Sequence, residues 1–170
     1  MSKNWMTKVW TWDNCFNALA VASADPALAW DQLLLFFDYQ DPQGMIPDRI
    51  SDLSADYIFN KPPIYGWTIR KLVDKLGLEA SRPYLLELYE PVGRLTDWWY
   101  EMRNYDGDGM AQYHHGNDSG WDNATAFDHG YPTEGPDLAA HLVLQTEALA
   151  WMAARLDKSD EAALWRARST

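Results

Sequence analysis

Asp25-Pro26-Ala27-Leu28-Ala29-Trp30-Asp31-Gln32-Leu33-Leu34-Leu35-Phe36-Phe37-Asp38-Tyr39 is the stretch that decides the fold. Leu28, Trp30, Leu33, Leu34, Phe36 and Phe37 make the segment from Ala27 to Tyr39 a strongly apolar helix that must be largely buried. Asp25-Pro26 stops the helix before it and starts this one, with proline at the first helical position, where its missing N–H costs nothing. Asp13 to Ala24, just upstream, is Ala-rich with helical spacing, so the two segments read as a helical hairpin.

The same unit recurs. Asp41-Pro42-Gln43-Gly44 breaks the pattern, and a polar loop runs to Lys61. Pro62-Pro63 opens a third helix through Trp67, Ile69, Leu72, Val73 and Leu76, with Gly77 as its stop. A fourth runs from about Arg82 to Arg103. After a long loop from Asn104 to Gly135, Pro136-Asp137 begins a fifth helix, and Asp160 to Arg168 reads as a sixth. No segment alternates convincingly as a strand. The expectation is an all-α fold, about three helical hairpins forming one domain over residues 1–170. Both long loops fall between hairpins, and long loops in a compact domain usually carry function. If helices alternate between inner and outer rows, the two loops share one face.

Composition narrows the ligand. The 170 residues carry a net charge of −11 and a pI near 4.6, which argues against nucleic acid as a partner. Ten Trp and nine Tyr are an unusual supply of flat rings, suited to stacking on sugars; about half of the indoles are expected in the core. Cys15 is the single cysteine, so no internal disulfide forms, and a buried, inert thiol is expected. No window is long and apolar enough for a membrane span, and Met1 to Lys8 lacks the pattern of a signal peptide, so a cytoplasmic location is expected.

The loop His115-Gly116-Asn117-Asp118-Ser119-Gly120-Trp121-Asp122-Asn123-Ala124-Thr125 has no apolar periodicity and cannot build a core. Glycines for tight turns, carboxylates at Asp118 and Asp122 and the face of Trp121 suit a polyhydroxylated ligand, although loop or helix-capping carboxylates would look the same. Asn104-Tyr105-Asp106-Gly107-Asp108-Gly109 places oxygen ligands at alternate positions, like the first half of a calcium loop, with Asn104, Asp106 and Asp108 as ligands. The twelfth position is His115 instead of the closing Glu, and a helix-terminating turn is the equal alternative. His114-His115 lacks a third ligand for zinc and is read as lining a cleft.

Four segments together resemble glycoside hydrolase family 63 and its trehalase-like relatives. They are Trp10-Thr11-Trp12-Asp13-Asn14-Cys15-Phe16, Asp41-Pro42-Gln43-Gly44-Met45-Ile46-Pro47-Asp48, Lys61-Pro62-Pro63-Ile64-Tyr65-Gly66-Trp67, and Asp118-Ser119-Gly120-Trp121-Asp122-Asn123. The resemblance implies an (α/α)6 barrel, of which about six of twelve helices are here, and an inverting hydrolase of small α-glucosides or α-mannosides. It implies Asp122 as general acid, held protonated by burial against Trp121 and the charge of Asp118. It places Trp12, Asp13, Asp48, Lys61, Trp67, Trp121, Asp118 and Asn123 against the sugar, and some relatives hold Ca2+ at a comparable loop. The general base has no counterpart: Glu134 shares the acid's loop and Glu147 is mid-helix among apolar neighbours. A homodimer or a second, C-terminal half of the barrel is the expected partner. The rival readings are a non-catalytic carbohydrate-binding or assembly module, or an inactive truncated fragment.

Overall fold

A computed structural model describes residues 7–169; most of the Met1–Lys8 segment read for a leader lies outside the described residues. Six α-helices dominate: α1 (Thr11–Val21), α2 (Pro26–Phe37), α3 (Tyr65–Leu76), α4 (Leu78–Met102), α5 (Pro136–Arg155) and α6 (Ser159–Arg168). Asp25 caps α2 by accepting from the Leu28 N–H at 3.0 Å, with Pro26 behind it. Gly77, at φ +89°, ends α3 and turns the chain straight into α4, a conformation that side chains rarely tolerate. The fourth helix therefore starts four residues before the expected Arg82. Pro83 and Pro91 are absorbed inside it, so proline alone does not mark its start.

The helices form two rows. α1, α3 and α5 pack side by side, while α2 lies against α1 and α4, and α6 lies against α5. Polar bonds add α4 to α6: Tyr89 Oη donates to Glu161 at 2.8 Å and itself accepts from Trp165 Nε1 at 3.0 Å. Between the rows sits the core, with Trp30, Leu33, Phe36, Leu85, Leu88 and Trp99 sealed from water. Trp30 stacks on Tyr84 with centroids 4.8 Å apart. This is a partial α/α toroid built of three hairpins. Of the nine indoles among the described residues, Trp30, Trp98 and Trp99 are buried, fewer than the expected half; Trp10, Trp12, Trp67, Trp151 and Trp165 are half-buried and Trp121 is exposed.

One correction concerns strands. Val9–Trp10 (β1), Arg49–Ile50 (β2) and Ala55–Asp56 (β3) form a small antiparallel sheet in the order β1-β2-β3. Two-residue strands leave no periodicity to read. Asp56 clamps the sheet, accepting from Lys8 at 2.7 Å and Arg49 at 2.8 Å, and the two cations hold its carboxyl well below the usual range. The sheet fixes the start of α1 to the first long loop, as the Thr11 N–H donates to the Asp48 carbonyl at 3.0 Å. Among the described residues no helix is long and apolar enough to cross a membrane.

Candidate functional site

Both long loops lie at the same end of the helix rows and are tied together by Asp118. This carboxylate is 1% exposed. One oxygen accepts from the Asn60 N–H at 3.0 Å; the other accepts from the His114 N–H at 2.9 Å, the His115 N–H at 3.0 Å and Arg103 Nη1 at 3.4 Å. Arg103 is itself sandwiched against Trp98 and Trp99, 5.1 and 5.9 Å from their ring centres. Asp118 is thus occupied by the protein on every side and holds the loop, where a sugar contact had been expected. Lys61 strengthens the junction by donating to the Asn117 carbonyl.

The junction shapes an open cleft of about 570 Å³ lined by Lys8, Val9, Trp10, Trp12, Asp13, Asn14, Asn17, Lys61, Gly120 and Asp122. Trp12, Asp13, Lys61 and Asp122, four of the residues singled out in the sequence, meet here from three distant segments. Gly120, at φ +76°, lets the loop pass close to Trp12: a Cβ at Gly120 would lie 3.8 Å from that indole. Trp12 continues into a row of rings, 5.8 Å from Phe16 and 5.6 Å from His141, and Phe16 lies 6.1 Å from Trp67. Trp67 therefore stands two rings beyond Trp12, outside the cleft lining. His141 was missed from sequence because it lies within a helix whose neighbours spell nothing but core; burial lowers its pKa from the ordinary histidine value, leaving it neutral near pH 7.

Of the segment Trp121-Asp122-Asn123, only Asp122 lines the cleft. Trp121 is 67% exposed, and all three project at the cleft's rim. The enclosure expected around Asp122 is absent among the described residues: Trp121 is turned to solvent and the charge of Asp118 is matched by Arg103. Asp48 lies on the opposite side, under the floor. It is 3% exposed, and burial, only partly offset by Lys61 and Arg49, pushes its carboxyl up to about 6.

The histidines pack the loop more than they line the cleft. His115 stacks on Tyr131 at 5.7 Å and accepts from the Asn117 N–H through Nδ1, while His114 lies against Tyr105 at 4.6 Å. Cys15 is buried and free, and burial raises its thiol to about 12, consistent with an inert group.

Beyond the cleft, Asp106, Asp108 and Glu134 offer carboxylate oxygens within 4.8 Å of one another. The Asn104 side chain instead accepts from the Gly109 N–H at 3.3 Å. Gln112 Nε2 donates to Glu134 at 3.1 Å, and its buried Oε1 has no protein partner. Glu134 thus joins Asp106 and Asp108 from the far side of the loop.

The profile of the family described as mannosylglycerate hydrolase MGH1-like glycoside hydrolase domain matches residues 6–170. A mannosylglycerate hydrolase of Thermus thermophilus is 29% identical over 140 residues, covering 70% of this chain and 34% of that protein. Mannosylglycerate hydrolase MGH1 of Selaginella moellendorffii is 22% identical over 142 residues, 28% of its length. Among solved structures, the glycoside hydrolase family 63 mannosylglycerate hydrolase of Thermus thermophilus in complex with glucose superposes with a TM-score of 0.78 at 22% identity, over 95% of this chain and 55% of that one. The chain spans about a third of the length of these curated relatives and about half of the solved chain.

Proposed function

The chain belongs to the MGH1-like glycoside hydrolase family, and from that premise we propose that it carries the general-acid half of an inverting α-glycosidase cleft, acting on a small α-mannoside or α-glucoside. The observation that carries the proposal is the convergence of Trp12, Asp13, Lys61 and Asp122 on one cleft. Asp122 protonates the departing oxygen, Asp13 accepts hydrogen bonds from a pair of sugar hydroxyls, and Trp12 supplies the stacking face. Trp67 extends that face through Phe16, and Trp121 and Asn123 close over the ligand from the rim.

Inversion requires a second carboxylate about 6.5–9.5 Å from the acid, with room for water between them. Glu134 belongs to the acidic cluster beyond the cleft, and Glu147 is exposed on α5 without lining it. The base comes from a partner half: the C-terminal half of such a barrel, or a second copy of this chain. The same partner encloses Trp121 and Asp122 and gives the acid the desolvation that keeps it protonated. Ca2+ fits the loop beside the cleft, with Asp106, Asp108, Glu134 and the Gln112 carbonyl oxygen as ligands once that amide turns.

The test is a completed barrel carrying Asp122→Asn. With a sugar leaving group the rate falls about 10²- to 10⁴-fold, the worth of a general acid. With a dinitrophenyl leaving group, which needs no proton, most of that loss disappears. Equal losses on both substrates would rule out the acid role, and sugar binding without turnover in every completed form would favour a binding module.

A further inference from the structure

Away from the cleft, the arginines of this acidic chain divide into two sets. Arg49, Arg82, Arg103 and Arg168 pair with carboxylates, and Arg94 donates to the Gln40 side chain. Arg70, Arg155 and Arg166 form no ion pair with a described carboxylate, yet all three line one open hollow of about 330 Å³ between α3, α5 and α6. The chain carries a net charge of −11, so unpaired cations gathered in one place run against its general surface charge.

Trp151 is the centre of the arrangement. The guanidinium carbons of Arg155 and Arg70 stand 4.1 and 5.5 Å from the centre of its half-buried ring. Arg155 is fixed further: its Nη1 donates to the Trp151 carbonyl at 3.3 Å, and its own carbonyl accepts from Arg82 Nη1 at 2.6 Å. A guanidinium held against a ring has little freedom left to lose on binding, and its in-plane N–H groups stay available to an acceptor. Arg70 comes from the middle of α3, Arg155 from the last turn of α5 and Arg166 from the last turn of α6. The tertiary fold assembles the three, from segments far apart in sequence.

Arginine only donates, in a fork that fits two oxygens of a phosphate or carboxylate. Glu147 is the only described carboxylate in the lining, and three guanidinium groups against it leave two positive charges uncompensated. That excess matches a dianion. We propose that the hollow between α3, α5 and α6 is a binding site for a phosphate group, with Arg70, Arg155 and Arg166 as its donors and Trp151 as the plate that holds two of them in place. The site shares no lining residue with the cleft.

Calorimetric titration of the chain with inorganic phosphate and, separately, with glycerol 2-phosphate tests the site. Both are run at constant ionic strength and at about pH 8, above their second ionisation. Saturable binding of one phosphate group per chain is expected: with both probes it assigns the site to the phosphate group itself, with the ester alone to a phosphate ester. Arg70→Gln and Arg166→Gln each weaken binding about tenfold or more, the worth of a charge-assisted hydrogen bond. Arg94→Gln, on α4 and outside the hollow, leaves it unchanged. Glu147→Gln removes the opposing charge and tightens binding about threefold, a gain that damage to the fold cannot produce. No saturable binding, equal losses in all three arginine variants, or a Glu147→Gln chain that binds no more tightly overturns the proposal. No readout involves sugar or turnover, so failure here and failure of the glycosidase reading are separate results.

Discussion

Asp118→Asn removes a charge at the point where the two long loops join. The carboxylate accepts three backbone N–H bonds at 2.9–3.0 Å and a longer one from Arg103, at 1% exposure. An asparagine keeps the shape but turns an NH2 toward groups that are themselves donors. If the amide nitrogen faces Asn60, one backbone N–H is orphaned; if it faces the histidine N–H groups, two are, and Arg103 loses its partner as well. The first arrangement is the cheaper. An orphaned buried donor costs about 1–3 kcal/mol, and uncovering a buried cation adds to it because Arg103 is only 9% exposed. The expected loss is about 3 kcal/mol, which for a chain of this size lowers the melting temperature by roughly 6–12 °C. Urea unfolding followed by tryptophan fluorescence measures it, with Asp122→Asn as an exposed reference expected within about 0.5 kcal/mol of the parent. If Asp118→Asn also stays within about 0.5 kcal/mol, the carboxylate does not organise the loop.

The remaining predictions address charge, metal, backbone and association. Asp48 is raised from 3.8 to about 6 in the folded chain; between those values the native state holds a proton that the unfolded state has released, so stability falls as pH rises from about 4 to 6 and levels off above. Asp48→Asn removes that slope, at most about 3 kcal/mol across the window, and urea midpoints against pH report it. Ca2+ raises the melting temperature over a Mg2+ control, and Glu134→Gln abolishes the increment; an identical increment in both proteins would exclude the proposed ligand set. Gly120→Ala strains a backbone at φ +76° and lowers stability by about 1 kcal/mol, read from the same urea curves. Leu164→Lys on α6, where Leu164 is 71% exposed, weakens assembly with a partner half without unfolding the chain; light scattering reads the change in mass.

The helical architecture was open to sequence reading because its signals are local. Apolar spacing from Leu28 to Phe37, Pro26, Gly77 and Pro136 all stand where elements begin or end. The start of α4 escaped because the boundary depends on Gly77 turning at positive φ and passing straight into the next helix. The small sheet escaped because pairing over two residues is set by what lies across from it. In the site, the segments that resemble family 63 pointed to Trp12, Asp13, Lys61 and Asp122, which share the cleft. What spacing could not tell was which of two carboxylates in one loop turns inward: Asp118 is buried among N–H groups and Asp122 is at the rim. That choice rests on Arg103 and Asn60, fifteen and fifty-eight residues away.

The distribution of buried and exposed groups separates what the chain fixes by itself from what it leaves open. Asp118, Lys61 and the sheet fix the loops from within, so the shape of the cleft floor needs nothing further. Its surface stays open: Trp121 stands 67% exposed and Phe16 46% exposed, and no described residue encloses Asp122. Exposed indole and phenyl faces are unfavourable in water and become favourable only when a sugar or another protein surface covers them. A rigid floor under an unenclosed acid is the division expected if this half orients the sugar, and if desolvation and the activated water arrive with the half that closes over it.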